Sequence, residues 1–259
     1  MRGKLRGVIF DINGVLEFQG RPYRGAPELL ELLRRQGITV SILTNTTLKS
    51  RKECAYKLNN MGLRVKEEEV ITASYATARY LEELKPRSCW IMLQGSGLEE
   101  FKDFHNDKDD PEYLVVGDYR EGFNFHNLNH ALGLLLQGSK LIVMIPEKVD
   151  HSTGCVELTV GAYGKMLEDA SGVKATYIGK PSPYIYEMAL NKMGLKREEV
   201  LMVGDRVETD ILGARNAGIK SVLVKTGEYR PGHLRRGIQP DFIIDSIQEL
   251  RNLIWGRGE

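Results

Sequence analysis

Short apolar runs alternate with amphipathic stretches along most of the chain. The runs have the length of buried strands, and the stretches carry apolar residues at helical spacing. The predicted strands are 5–10, 38–43, 200–203, 221–224 and 242–244. The predicted helices include 27–36 and 48–61, each followed directly by a glycine. Buried strands that alternate with helices predict a doubly wound, parallel α/β sheet with helices on both faces.

The middle of the chain departs from this alternation. It contains further strand-like runs at 114–116 and 141–145, and it is long enough to form a second α/β domain. We therefore predict a Rossmann-like core domain made of residues 1–74 and 176–259, with an inserted α/β domain over residues 75–175.

The composition is that of an ordinary globular protein. Of the 259 residues, 42% are apolar and 27% are charged, and 36 basic residues against 35 acidic ones leave a formal net charge of +1. This balance gives no long-range field that would attract nucleic acid or an anionic membrane, so neither is expected as a partner. The basic pairs Arg34-Arg35 and Arg235-Arg236 are interpreted as solvated faces.

The cysteines and the apolar segments indicate in which cellular compartment the protein is expected. Cys54, Cys89 and Cys155 are scattered and odd in number, which argues against a disulfide framework or a zinc site. No segment approaches the ~20 apolar residues of a membrane helix, and the acidic Asp11 interrupts the N-terminal apolar run, unlike a signal peptide. We expect a cytoplasmic protein. Its oligomeric state stays open, a homo-oligomer included.

Polar and charged residues follow four strand-like runs directly, the run at 177–178 among them. They are Asp11, Asn13, Gly14, Thr44, Asn45, Lys180, Asp205 and Asp210. Ligands of an open parallel sheet bind beyond the carboxyl ends of its strands, so we expect these residues to converge on one rim.

Residues of these kinds together suit phosphoryl transfer. A carboxylate can attack phosphorus and form an aspartyl-phosphate, and a divalent cation lets that anion approach an anionic phosphoryl group. Mg²⁺ prefers oxygen ligands such as carboxylates and carbonyls. Lysine and the N–H groups of glycine-rich turns stabilise phosphoryl oxygens. The set predicts a Mg²⁺-dependent phosphohydrolase with Asp11 as the nucleophile.

Each element taken alone has a structural interpretation. An Asp after a strand often caps a helix or forms a turn, and residues 44–45 or 179–181 could be plain turns or loops. The conjunction of four strand ends with complementary chemistry favours the functional interpretation. His126 and His130 have metal-ligand spacing, but with no third ligand near them in sequence a structural role is favoured.

The four motifs resemble those of the haloacid dehalogenase superfamily of phosphatases. They match at Asp11, at Thr44, at Lys180, and at Asp205 with Asp210. The segment between the second and third motifs resembles the larger α/β cap of the NagD-like branch. Phrases such as DINGVL, LTNTT, GKPSP and MVGDRVETDILGARNAG are most similar to the haloacid dehalogenase-like hydrolase domain-containing protein two group. The phospholysine/phosphohistidine inorganic pyrophosphate phosphatases are near neighbours.

The resemblance implies a set of Mg²⁺ ligands. Asp11 would be both nucleophile and ligand, and the backbone carbonyl of Asn13 would be a second ligand. Asp205 would bind the ion directly, and Asp210 would hold a metal-bound water or the loop.

The resemblance also implies how a small phosphorylated substrate is held. Thr44 and Lys180 would bind the transferring phosphoryl group. Gly14 and Asn45 would offer backbone N–H donors to its oxygens.

Asn13 departs from the commonest pattern of the superfamily. Most of these phosphatases carry Asp there, and it acts first as general acid and then as general base. Asn cannot exchange that proton at ordinary pH, so this position puts the rate in question, since a positioned acid–base group contributes ~10²–10⁴-fold. The two related groups carry Asn or Ser there. The metal ligand at this position is the main-chain oxygen, which Asn retains.

Two other functions compete with the capped phosphatase. A phosphate-binding or regulatory protein could keep the fold and turn over poorly because of Asn13. A receiver-like signalling domain also pairs Asp, Thr and Lys, but receivers are much shorter. The absence of a GxxxxGK[ST] motif disfavours a P-loop nucleotidase. The identity of the substrate depends on residues of the inserted domain that the sequence alone does not place.

Overall fold

The computed structural model describes residues 5–150, 155–230, 232, 234 and 237–256. By their internal contacts these residues divide into two compact units. The first lies within Met1–Thr44, Cys54–Ile71 and Lys180–Glu259, and the second within Asn45–Glu53 and Thr72–Gly179. None of the described helices has the length and apolar character that crossing a membrane requires.

The elements follow one another in the order that the apolar runs predict, with several additional short strands. The strands are β1 Gly7–Phe10, β2 Glu17–Phe18, β3 Arg21–Pro22, β4 Thr39–Thr44, β5 Val70–Thr72, β6 Cys89–Met92, β7 Tyr113–Val116, β8 Lys140–Val143, β9 Val149–Asp150, β10 Glu157–Leu158, β11 Ala175–Tyr177, β12 Val200–Gly204, β13 Lys220–Val224 and β14 Phe242–Ile244. The α-helices are α1 Ala26–Arg35, α2 Arg51–Asn60, α3 Ala73–Leu84, α4 Phe125–Leu136, α5 Val160–Ser171, α6 Pro183–Met193, α7 Leu212–Ala217 and α8 Leu250–Trp255.

Short helices of other types connect these elements. The 3-10 helices include Glu67–Glu69, Ser96–Phe101, Arg120–Gly122, Arg197–Glu199 and Ile247–Glu249. A π-helical turn, Val207–Ile211, leads into α7. Such turns are rare and occur often at functional sites.

The first unit contains a six-stranded sheet in the order β14-β13-β12-β1-β4-β5. The strand β1 pairs in parallel with β4 and β12, and β13 pairs in parallel with β12 and β14. Both β1 and β12 are buried along their whole length, as expected for parallel strands covered on both faces. The predicted doubly wound α/β core is confirmed.

Helix α1 shows how the sequence forms the elements that cover this sheet. Leu29, Leu30 and Leu33 are buried on one face of the helix, which is the spacing that an amphipathic helix produces. The basic pair Arg34-Arg35 lies in its last turn, where positive charge complements the helix dipole. Arg34 and Arg35 form ion pairs with Glu69 and Glu31 respectively. The second basic pair, Arg235-Arg236, lies outside the described residues.

The second unit has a sheet of its own, with the parallel strand order β11-β8-β7-β6. Trp90, Leu114 and Leu141 on three of these strands are buried. The helices α4 and α5 belong to the same unit, and β9 and β10 form an antiparallel hairpin within it. The unit is therefore an α/β structure, as the resemblance implies for an inserted domain.

The strand β11 corrects one prediction. The sequence predicts the run before Lys180 as a strand of the core sheet, but β11 pairs with β8 of the second unit, with Ala175 opposite Leu141. The predicted boundary between residues 175 and 176 therefore falls inside β11. The reason is that a short apolar run carries no mark of the strand that it pairs with. The second unit also takes in residues 45–53, which the sequence assigned to the core.

Candidate active site

The turn after β1 places Asp11 at the end of the central strand. The N–H of Asp11 donates to the Val203 carbonyl at 3.0 Å, which extends the ladder between β1 and β12 by one residue. Gly14 then adopts a φ of +79°, in the left-handed region that glycine enters without strain. The carbonyl of Ile12 accepts hydrogen bonds from Leu16 and Glu17, so the turn is closed by its own backbone.

Three carboxylates from two strand ends come together in the first unit. Asp11 follows β1, Asp205 follows β12, and Asp210 lies in the π-helical turn beyond it. All three residues are buried, and one carboxylate oxygen from each lies within 4.8 Å of the other two. Such a cluster requires compensating positive charge, because burial and mutual repulsion both disfavour ionised carboxylates.

Lys180 supplies part of that charge. Its Nζ lies 2.8 Å from Asp11 Oδ1 and 2.7 Å from Asp210 Oδ1, and its side chain is buried. Burial opposes the ammonium charge, but Asp11 and Asp210 outweigh it and raise the pKa of Lys180 above its ordinary value. Lys180 is therefore charged across the physiological range and joins two of the three carboxylates.

The pKa values of two of the carboxylates are raised, mainly by burial. Burial, opposed by Lys180 and reinforced by Asp210, raises the pKa of Asp11 to about 6. Burial together with the charges of Asp11 and Asp210 raises the pKa of Asp205 to about 8. One lysine is thus insufficient for three buried carboxylates, and the site favours a further cation.

Asp205 gives a more specific indication that the cluster suits a cation. Its Oδ2 accepts a hydrogen bond from the Glu228 N–H at 2.7 Å. Its Oδ1 is buried and has no hydrogen-bond partner, and a buried acceptor of this kind is costly unless something binds it. Three buried carboxylates, one of which has an unsatisfied oxygen, fit a hard divalent cation such as Mg²⁺. Asp11, Asp205 and Asp210 are the cluster of this type found among the described residues.

The remaining sequence-predicted residues have different surroundings. Thr44 is buried at the end of β4, next in the sheet to the strand that carries Asp11. Asn45 belongs to the second unit, where its Nδ2 donates to Glu147 Oε1 at 2.6 Å. The side chain of Asn13 is exposed.

Gly14 is constrained by contacts within the turn and with Asp205. Its N–H donates to the Glu17 carbonyl at 2.8 Å, so that donor is already used within the turn. A Cβ at this position would lie 2.1 Å from Asp205 Oδ2. The glycine therefore permits a close approach of backbone and carboxylate, and its role as a substrate donor stays a prediction.

The structure brings to the site further residues that the sequence pattern does not indicate. One of them is Tyr186. It is buried, and its hydroxyl donates to the carbonyl of Thr209 at 3.0 Å, next to Asp210. Residues 226–228 follow β13 and contact both Asp205 and Gly14. The rule that active residues follow strands would have found this segment if it had also been applied to β13.

The two histidines of α4 do not form a metal site with a third ligand among the described residues. His130 Nε2 lies 2.7 Å from the Lys108 carbonyl, and its ring lies against Trp90 with the ring centroids 5.2 Å apart. His126 is exposed. The structural interpretation of the pair agrees with these contacts.

Comparison with known proteins relates this geometry to a family. A family model described as haloacid dehalogenase-like hydrolase matches residues 8–106, and one described as HAD-hydrolase-like matches residues 177–250. These matches contain Asp11, Thr44, Lys180, Asp205 and Asp210.

Relatives match over most of the chain. The phospholysine phosphohistidine inorganic pyrophosphate phosphatase of Xenopus laevis is 36% identical over 236 residues, which cover 88% of this chain and 86% of that protein. The haloacid dehalogenase-like hydrolase domain-containing protein 2 of Bos taurus is 34% identical over 229 residues, which cover 88% and 87%.

Solved structures also match over most of the chain. The 4-nitrophenylphosphatase from Thermotoga maritima has a TM-score of 0.90 at 28% identity and covers 95% of this chain and 96% of its own. NagD from E. coli K-12 has a TM-score of 0.87 at 28% identity, with coverages of 95% and 98%.

Proposed function

We propose that this chain, which belongs to the NagD-like branch of the haloacid dehalogenase-like hydrolase family and is a phosphatase, acts through an aspartyl-phosphate on Asp11. Its substrates in this proposal are small phosphorylated molecules. The observation that carries the proposal is the position of Asp11. It is a buried carboxylate at the end of the central strand, held by Lys180 and facing two further carboxylates.

In the first step a carboxylate oxygen of Asp11 attacks phosphorus. The bond between phosphorus and the leaving-group oxygen or nitrogen breaks, and the leaving group departs with the electron pair. The pKa of Asp11, raised to about 6, still leaves the carboxylate mostly ionised at neutral pH. Its contact with Lys180 at 2.8 Å orients the group for attack.

In the second step water attacks the phosphorus of the aspartyl-phosphate. Asp11 leaves as a carboxylate, inorganic phosphate forms, and the proton of the water passes to solvent. Lys180 places a positive charge beside the reacting group, and Thr44 offers a hydroxyl from the neighbouring strand end. Both residues would stabilise charge on the transferring phosphoryl oxygens.

A Mg²⁺ ion would be held by Asp11, by Asp205 through its unsatisfied Oδ1, and by the main-chain oxygen of Asn13, with Asp210 in support. When bound, the ion would neutralise charge between the anionic nucleophile and the phosphoryl group. Asp210 is held from two sides, because Lys180 contacts its Oδ1 and the Arg206 N–H donates to its Oδ2 at 3.1 Å.

The chemistry of the Asn13 amide indicates which kind of substrate is favoured. An amide cannot protonate a departing group, and this one is exposed, so protons would come from solvent. Substrates with good leaving groups are therefore favoured: aryl phosphates, acyl phosphates, pyrophosphate and phosphoramidates. The names of the relatives, which refer to phospholysine, phosphohistidine, pyrophosphate and 4-nitrophenyl phosphate, agree with this class.

Asn13 also supports a second candidate function. Without a group that activates water, the aspartyl-phosphate would persist, and the protein could act as a phosphate-binding or regulatory member of the fold. The two candidates differ in turnover. A steady rate of aryl phosphate hydrolysis supports the phosphatase, whereas one rapid phosphorylation event without turnover supports the regulatory protein.

We place substrate selection in the second unit. In this unit the segment after β8 is fixed by two contacts of Glu147, whose carbonyl accepts the Gly161 N–H at 2.8 Å and whose carboxylate accepts the Asn45 amide. Nearby in the chain, Tyr163 stacks on Phe123 with ring centroids 3.8 Å apart. Residues 144–147 and 161–163 are the proposed selectivity segments.

The proposed function is tested by Asp11→Asn, with Asp245→Asn as the matched control. Asp245 is an exposed residue that pairs with Lys225. We expect Mg²⁺-dependent hydrolysis of 4-nitrophenyl phosphate to be lost in Asp11→Asn and kept in Asp245→Asn, with both proteins folded by circular dichroism. Substantial hydrolysis by pure Asp11→Asn protein would disprove the nucleophile assignment.

A further inference from the structure

Residues 226–228, which follow β13, contact the candidate site at two points and Tyr23 at a third, and we call them the bracing loop. The hydroxyl of Thr226 donates to the Gly14 carbonyl. The Gly227 N–H donates to the hydroxyl oxygen of Tyr23 at 3.2 Å, and the Glu228 N–H donates to Asp205 Oδ2 at 2.7 Å. The loop therefore joins the turn after β1 to the carboxylate after β12.

The packing around Asp205 Oδ2 leaves no room for a side chain. A Cβ on Gly227 would lie 2.1 Å from this oxygen and 2.4 Å from the Gly14 Cα, and a Cβ on Gly14 would also lie 2.1 Å from the oxygen. Both glycines have positive φ values, +62° and +79°. Two glycines and one N–H donor thus enclose a single carboxylate oxygen.

This enclosure decides which oxygen of Asp205 remains available. Because Oδ2 accepts the Glu228 N–H and lies close to both glycines, the orientation of the Asp205 carboxylate is restrained. Oδ1 is the oxygen that is buried without a hydrogen-bond partner. The bracing loop therefore presents one defined oxygen to the carboxylate cluster.

The loop also fixes the backbone next to Asn13. The Thr226 hydroxyl holds the carbonyl of Gly14, and the Glu17 carbonyl accepts the Gly14 N–H at 2.8 Å. That N–H belongs to the same planar peptide unit as the Asn13 carbonyl. The direction of the Asn13 carbonyl is therefore set by contacts on both sides of Gly14.

We propose that the bracing loop is the positioning element of the cation site: through Thr226 and the Glu228 N–H it orients the Asn13 carbonyl and Asp205 Oδ1 for a divalent cation. This inference rests on the proposed function, because the cation is the proposed Mg²⁺. Partners that orient metal ligands are worth ~10–100-fold in metal affinity. We expect the loss of either bond to weaken Mg²⁺ binding by that range.

Two matched pairs of substitutions test the loop. Thr226→Val removes the hydroxyl at nearly constant shape, and Thr226→Ser retains it. Glu228→Pro removes the N–H that Asp205 accepts, and Glu228→Ala retains it; both lose the contact of Glu228 with Arg206 equally. The readout is the Mg²⁺ dissociation constant of the full chain without substrate, measured by titration calorimetry, with thermal unfolding in EDTA as the check of folding.

The expected result is Mg²⁺ binding ~10–100-fold weaker in Thr226→Val and Glu228→Pro than in their partners, which stay near the parent value. Equal affinity within each pair would overturn the inference and leave the proposed function intact. A parent protein that does not bind Mg²⁺ would overturn both. If Glu228→Pro does not fold, the Thr226 pair decides alone.

Discussion

Replacement of Asp205 by Asn tests the electrostatics of the site directly. The pKa of Asp205 is raised from 3.8 to about 8, mainly by burial and then by the charges of Asp11 and Asp210. Between these two values the folded protein holds a proton that the unfolded chain has released. The stability of the metal-free protein should therefore fall as the pH rises through this window.

The size of the effect follows from the same shift. Neutral pH lies about three units above the pKa of this carboxyl in the unfolded chain, and each unit corresponds to about 1.4 kcal/mol. Because the fold keeps this proton while the unfolded chain releases it, the metal-free fold loses on the order of 4 kcal/mol of stability at pH 7. Asn is neutral and nearly isosteric, and its Oδ1 can still accept the Glu228 N–H, so it removes this penalty.

The assay compares urea unfolding of the EDTA-treated parent, Asp205→Asn and the exposed control Asp245→Asn at several values from about pH 5 to about pH 8. We expect Asp205→Asn to gain stability over the parent progressively as the pH rises. Added Mg²⁺ should stabilise the parent and leave Asp205→Asn unchanged. A stability difference that is independent of pH, or one that favours the parent in EDTA at pH 8, would refute the reasoning.

Three further predictions concern the acid–base position, the ligand set and substrate choice. Asn13→Asp should raise kcat most for alkyl phosphates, by up to ~10²–10⁴-fold, and should flatten the plot of log kcat/KM against leaving-group pKa; parallel plots would mean that another group supplies the proton. Asp205→Ala should weaken Mg²⁺ binding more than Asp210→Ala in calorimetry, because Asp210 supports the site rather than binding through an unsatisfied oxygen; the reverse order would contradict the ligand assignment. Ile145→Ala and Tyr163→Ala should change the relative kcat/KM for sugar, nucleotide and aryl phosphates while acetyl phosphate is still hydrolysed, and unchanged preferences would remove these segments from substrate selection.

The positions of the carboxylates could be predicted from the sequence because they depend on local rules. Asp11 and Asp205 each follow a buried apolar run, and parallel strands place such residues at the same edge of a sheet. The alternation of apolar runs with amphipathic stretches predicted the doubly wound core. These features need only the spacing of apolar residues and the direction of the strands.

Features that depend on pairing could not be predicted in this way. The strand before Lys180 belongs to the sheet of the second unit, because its hydrogen bonds go to β8, and no sequence periodicity records that partner. The N–H of Gly14 is used by Glu17 because the chain turns back there, which the glycine alone does not show. The contact between Glu228 and Asp205 joins residues 23 positions apart in the chain.

Isolation of the covalent intermediate tests the central claim most directly. The protein is mixed with Mg²⁺ and a small excess of 4-nitrophenyl phosphate, quenched in acid within a turnover, digested and analysed by mass spectrometry. We predict one added phosphoryl group on the peptide that contains Asp11, absent in Asp11→Asn and longer-lived in the parent than in Asn13→Asp, because Asn13 cannot activate water. A phosphoryl group on any other residue, or full turnover with no phosphorylated peptide at any quench time, would contradict the account.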